Sequence, residues 1–128
     1  MKKWMMYLLA VLLLTGCSAE KGEKDVAGYE MITAQQAKEI MDTQEDYVIL
    51  DTRTQEEYEQ GHIPGAVLIP YDEILEKAEK VLPDKDQLIL VYCRSGRRSK
   101  LAAQDLADLG YTNVKEFGGI IDWPYETE

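Results

Sequence analysis

Apolar positions along the chain fall into short continuous runs, separated by stretches in which they recur with helical spacing. Residues 47–50 (Y-V-I-L) form an apolar run rich in β-branched side chains, the pattern of a strand buried on both faces. Residues 66–69 (A-V-L-I) and 88–92 (L-I-L-V-Y) read the same way, and 114–117 predicts a last short strand. From Thr33, the string T-A-Q-Q-A-K-E-I-M sets Ala37, Ile40 and Met41 on one face. Thr33 can cap this helix and Gln36 can reach back. A second capping box, Thr54 with Glu57, opens a short helix closed by Gly61. Residues 72–82 carry Ile74, Leu75, Ala78, Val81 and Leu82 at helical spacing, and Pro83 ends them. Residues 98–109 predict a further helix with Leu101, Ala102, Leu106 and Leu109 inward and Gly110 as its stop. Strands apolar throughout, alternating with helices, predict an α/β domain whose mainly parallel sheet is flanked by helices on both faces.

The first residues follow another pattern. Lys2 and Lys3 precede an apolar run at 4–14, and small residues then lead into Cys17. This is the layout of a secretory signal. Its eleven apolar residues at about 1.5 Å each fall well short of a hydrocarbon core of roughly 30 Å. Leu14-Thr15-Gly16-Cys17 resembles a bacterial lipobox. The resemblance implies cleavage before Cys17 and acylation, palmitate included, of its sulfur and new amino terminus, so that the protein is held extracytoplasmically on the cell membrane by lipid. Two or three acyl chains suffice for stable anchoring. The expected organisation is a signal peptide at 1–16, a lipidated Cys17 with a solvated spacer to residue 28, and one domain over 29–128.

Length and charge narrow the function. A chain of 128 residues holds one ordinary domain. Its net charge of −10 becomes −12 once Lys2 and Lys3 leave with the signal, a balance that repels nucleic acid. With Cys17 acylated, Cys93 is the remaining thiol and no internal disulfide can form. His62 is the sole histidine, too few nitrogen and sulfur ligands for an ordinary zinc site, and neither metal nor cofactor is expected.

The chemistry concentrates in Cys93-Arg94-Ser95-Gly96-Arg97-Arg98-Ser99, which leaves the most apolar strand and enters a helix. In an open parallel sheet, ligands sit where strand ends turn into helices. Four of the basic residues (Arg94, Arg97, Arg98, Lys100) crowd into this stretch of an acidic protein. A cysteine before the positive end of a helix and among arginines is placed to react as thiolate. Gly96 lets the backbone turn so that successive N–H groups can face an anion. Asp51 and Arg53, at another strand end, read as an ion pair that fixes loops. His62, in Gly61-His62-Ile63-Pro64, reads as a hydrogen-bonding turn residue.

These segments, with Asp51-Thr52-Arg53, Glu57-Tyr58, Gly61-His62-Ile63-Pro64-Gly65-Ala66, Val91-Tyr92-Cys93, Gly118-Gly119 and Trp123, resemble the single-domain rhodanese sulfurtransferases from about Ile32 to Trp123. The resemblance implies a sheet of about five parallel strands. It also implies a double displacement in which Cys93 takes a sulfane sulfur from a small anionic donor such as thiosulfate. The resulting persulfide then passes its sulfur to a thiophilic acceptor, cyanide or a thiol. On that reading the loop from Arg94 through Ser95, Gly96 and Arg97 to Arg98 binds the sulfur anion and substrate. Arg98 shapes the loop or binds anions. Two other readings use the same residues. One is a sulfur-binding or redox-sensing module in which an exposed Cys93 meets an oxidant and a thiol reductant restores it. The other is a cysteine phosphatase or arsenate reductase, whose related loop sets its arginine one residue later than Arg98 stands here.

Overall fold

The structure is a computed structural model and describes residues 28–128. The signal, Cys17 and the spacer up to residue 27 lie outside the described residues. Five strands, β1 (Glu30–Met31), β2 (Tyr47–Asp51), β3 (Val67–Leu68), β4 (Leu88–Cys93) and β5 (Val114–Gly119), form one sheet in the order β1-β5-β4-β2-β3 with every pairing parallel. Four helices, α1 (Ala34–Thr43), α2 (Gln55–Glu59), α3 (Ile74–Val81) and α4 (Arg97–Asp108), connect them. Both capping boxes form: Thr33 with Gln36 opens α1, and Thr54 with Glu57 opens α2.

Alternation along the central strands divides the core in two. Leu50, Ile89, Val91 and Val114 face α3 and α4 and pack with Ile74, Ala78, Leu82, Ala102, Ala103 and Leu106. Ile49, Leu88, Leu90, Tyr92 and Phe117 face the other way, toward Ala37 of α1, Ile63 and Trp123. Each large buried side chain contributes about 1.5–3 kcal/mol relative to exposure. Both faces of the sheet are covered, as the apolar runs predict.

Four expectations need correction. The run 66–69 is strand only at Val67–Leu68, and Val67 is exposed, because β3 lies at the sheet edge against β2 alone. The helix expected over 72–82 is a 3-10 turn at Tyr71–Glu73 followed by α3. Ile74, Ala78 and Leu82 make a buried line at every fourth residue, which leaves Leu75 and Val81 outside, 61% and 47% exposed. On α4, Leu101 points out and Ala103 points in. The strands are also not apolar throughout, since β5 carries a buried Glu116. Nothing in the pattern announces the two-residue β1, which pairs with β5 alone.

Register changes near the carboxyl end of β5. Val91 faces Glu116, whereas Cys93 faces Gly119, so β5 carries one extra residue in a bulge. Gly118, at φ 92°, absorbs it. The bulge lays Gly119 beside the residues that follow Cys93.

Candidate functional site

The carboxyl ends of β2, β4 and β5 bring Asp51, Cys93 and Gly119 to one end of the sheet. β4 stops at Cys93, and Gly96 turns left-handed at φ 107° to cap α4, which begins at Arg97. The turn aims the Gly96 N–H at the Cys93 sulfur, with N···Sγ 3.0 Å. An N–H donor and the positive end of a twelve-residue helix therefore both address Sγ. Cys93 is 1% exposed, which corrects the picture of an exposed thiol: the last residue of a central strand lies on the floor, and the loop curls over it.

The arginines have separate partners. Arg98 meets Glu57 in a two-pronged pair, Nη1 to Oε1 at 2.9 Å and Nη2 to Oε2 at 3.0 Å. Both prongs of its guanidinium are engaged, so an oxyanion would have to displace Glu57 to use them. Arg97 is exposed, its guanidinium 6.0 Å above the Tyr71 ring. Arg94 and Ser95 are exposed on the loop, and the Arg94 carbonyl accepts the Ile121 N–H at 3.2 Å.

Hydrogen bonds from Arg98, and then from the Thr54 backbone and hydroxyl, pull the Glu57 carboxyl down to about 2 against an opposing desolvation effect. A carboxylate held below its ordinary 4.5 adds stability that is complete above pH 4.5 and lost as the pH falls toward 2. Glu57→Gln, which keeps the cap and loses the charge, should therefore unfold about 4–8 °C lower at neutral pH, the equivalent of about 1 kcal/mol in a domain of this size. The gap should close between pH 4.5 and 2. Paired thermal melts across that range would contradict this if the gap stayed constant.

Asp51 and Arg53 do not reach into the loop with polar contacts. Arg53 binds Asp51 through N, Nε and Nη2 at 2.7–3.1 Å, and Nη2 also donates to the Gly61 carbonyl at 2.7 Å. Tyr92 donates its hydroxyl to Asp51 Oδ2 at 2.6 Å and accepts the Ile63 N–H at 3.1 Å. Burial, reinforced by the Asp51 bond, pushes the Tyr92 phenol far above its ordinary range and keeps it a donor. His62 stacks on Tyr58 with ring centres 3.8 Å apart, and its Nδ1 lies 2.9 Å from the Tyr58 carbonyl oxygen. Its backbone exchanges two hydrogen bonds with Glu128.

Three residues have contacts at the site that sequence reasoning does not assign. Glu57 reads as a helix cap and as part of the family resemblance, and Ser99 as the end of the loop, but neither reading gives its partner. Ser99 and Glu116, both buried, are joined at 2.5 Å behind the loop. Among the described residues no group of three or more His, Cys, Asp or Glu could hold a metal ion, and no helix is long and apolar enough to cross a membrane.

Comparison with known proteins places this geometry. Residues 33–124 match the Rhodanese-like domain, and residues 1–18 match the prokaryotic membrane lipoprotein lipid attachment site. The thiosulfate sulfurtransferase PspE of Escherichia coli is 41% identical over 73 residues, covering 57% of this chain and 70% of PspE. YrkF of Bacillus subtilis is 36% identical over 110 residues, 85% of this chain, and the chain spans 58% of YrkF's length. Among solved structures, an Escherichia coli rhodanese with anions superposes with a TM-score of 0.60 at 36% identity, over 64% of this chain and 96% of that one. The rhodanese-like domain of an Anabaena protein, solved in solution, gives 0.71 at 28% identity over 77% of each. A five-stranded parallel sheet, a cysteine under a glycine-turned loop and this run of matched residues have one common source: the chain belongs to the rhodanese-like domain family and carries a lipoprotein attachment site at its amino terminus.

Proposed function

We propose that this protein is a membrane-anchored, rhodanese-type sulfurtransferase that takes a sulfane sulfur from a small anionic donor such as thiosulfate and carries it as a persulfide on Cys93. The observation that carries this reading is the Gly96 N–H set 3.0 Å from Cys93 Sγ at the mouth of α4. In the first step the Cys93 thiolate attacks the outer sulfur of the donor. A new S–S bond forms, the donor's own S–S bond breaks, and sulfite leaves with the bonding pair. In the second, cyanide or a thiol attacks the outer persulfide sulfur, and the thiolate returns. Each species is anionic, so donors fixed before reaction stabilise all of them.

Arg94, Ser95, Gly96 and Arg97 line the approach to the sulfur in this scheme. Arg98, bound by Glu57, holds the loop's shape. Asp51, Arg53 and His62 support the neighbouring strand ends and turn. The spacing from Cys93 to Arg98 and the engagement of both Arg98 prongs by Glu57 count against a phosphatase or arsenate reductase. Mass spectrometry after treatment with thiosulfate should find one added sulfur on Cys93 that cyanide removes. A chain that gains none, or keeps its sulfur in cyanide, is a sulfur-binding or redox-sensing module instead.

Lipid on Cys17 would hold this chemistry on the outer side of the cell membrane, with residues 17–28 as a flexible spacer to a domain over 29–128. Cys17→Ser should shift nearly all of the protein out of the membrane fraction or leave the precursor uncleaved, as read by fractionation and intact mass. Normal processing with full retention would mean that the anchor is something else.

A further inference from the structure

Glu116 is an anomaly in β5. It is 2% exposed, Val114 and Phe117 of the same strand are buried, and an apolar β-former at this position would suit both the burial and the strand. Its carboxylate is nevertheless held by polar partners. Oε2 accepts the Ser99 hydroxyl at 2.5 Å and the Gly118 N–H at 3.0 Å, and Lys100 Nζ stands 3.9 Å from Oε1. Ser99 Oγ also lies 3.1 Å from the Gly96 carbonyl oxygen, but a hydroxyl has one proton, and the shorter contact to the charged acceptor takes it. The Gly96 carbonyl is met by Lys100 Nζ at 3.4 Å. Gly118 faces Gly96 across the space a side chain would fill, since a Cβ on Gly96 would stand 3.7 Å from Gly118 Cα. Lys100 thus meets the carbonyl of Gly96, the residue whose N–H addresses Cys93, while Ser99 ties the first turn of α4, which Gly96 caps, to β5.

We propose that Glu116 is a positioning residue for sulfur transfer: through Ser99, Gly118 and Lys100 it braces Gly96 from behind and keeps its N–H on the Cys93 sulfur. The inference rests on the reading of Cys93 as the sulfur carrier. Glu116 touches neither substrate nor sulfur. A buried carboxylate is costly unless it is hydrogen-bonded, and the bonds from Ser99 and Gly118 lead to the start of α4 and to the strand end beside it.

The test compares the full chain in detergent with its Glu116→Val and Glu116→Gln variants. The rate of persulfide formation on Cys93 is followed by quenched mass spectrometry over a range of thiosulfate concentrations. Valine fits the strand but holds neither Ser99 nor Gly118, so the maximal rate should fall about thirtyfold while the half-saturating concentration stays within about twofold. Glutamine keeps an acceptor oxygen for both donors and should restore the rate to within about threefold of the unsubstituted chain. Wild-type rates in a folded Glu116→Val chain, or a Glu116→Gln chain as slow as the valine variant, would overturn the proposal while leaving the sulfurtransferase reading intact. No persulfide in the unsubstituted chain would defeat both together. Should circular dichroism show Glu116→Val unfolded, Ser99→Ala breaks the same bridge from its other end, with a rate loss of about fivefold expected and an unchanged rate counting against the proposal.

Discussion

A Cys93→Ser chain is expected to form thiocyanate from thiosulfate and cyanide at least about 1,000-fold more slowly than the unsubstituted protein while keeping its fold. The exchange alters one atom. The serine oxygen can still accept the Gly96 N–H that now meets Sγ at 3.0 Å, and the small side chain suits a position 1% exposed. What disappears is the capacity to hold a second sulfur. A serine hydroxyl, un-ionised at neutral pH, is a far poorer nucleophile toward sulfur than a thiolate, and an oxygen–sulfur bond does not relay sulfane sulfur. Thiocyanate assays beside circular dichroism check both halves of the expectation. Cys93 is the free cysteine among the described residues, so activity that survived would place the chemistry outside them.

The second large effect is expected at Gly119, where the constraint is space and not backbone freedom. Its φ of −123° and ψ of 154° are open to any residue. A Cβ there, however, would fall inside contact distance of the Arg94 carbonyl and Ser95 Cα, both main-chain atoms of the loop that follows Cys93. Neither can rotate aside as a side-chain tip would. Gly119→Ala should therefore cost about 3 kcal/mol or more in stability, at the upper end of overpacking. With the loop displaced by a fraction of an ångström to an ångström, sulfur transfer should fall by about a hundredfold. Gly118→Ala is the control. Gly118 sits at φ 92° with open space around its missing Cβ, so it should cost only the left-handed penalty of about 1–2 kcal/mol. Thermal melts and thiocyanate rates that rank Gly118→Ala as the worse of the two would refute the close-approach argument.

Legibility of the fold followed the range of each interaction. Both capping boxes are local, three residues from end to end, and Thr33 with Gln36 and Thr54 with Glu57 formed as the sequence predicts. The central strands β2 and β4 were plain because burial on both faces demands unbroken apolar runs. Strand β1 was invisible, as two residues carry no periodicity. The sequence pattern turns Leu101 inward, against its exposure in the fold, because helical spacing says which residues share a face, not how wide the covered face is. At the site, Cys93, Gly96 and the arginines stood out through their local crowding. Glu57 and Glu116 did not, since each meets its partner across a long stretch of chain: Glu57 to Arg98, Glu116 to Ser99. Composition along the sequence carries no record of such pairs.

Strand order has a further consequence, for the sequence of events in folding. β5 stands between β1 and β4, and β1 has no other partner, so Glu30 waits for Lys115 before it can pair at all. The central β4–β5 ladder, the bulge at Gly118, the close fit of Gly119 on Arg94 and the Glu116 brace all arrive with the same late segment. A chain released progressively from its amino terminus can assemble helices and the β2–β4 pair, but its loop around Cys93 has no floor until residues 114–119 emerge. Such distant pairings close slowly, because loop entropy is lost before contacts compensate it. The surroundings of the Cys93 sulfur are thus complete only once the last strand of the sheet has docked.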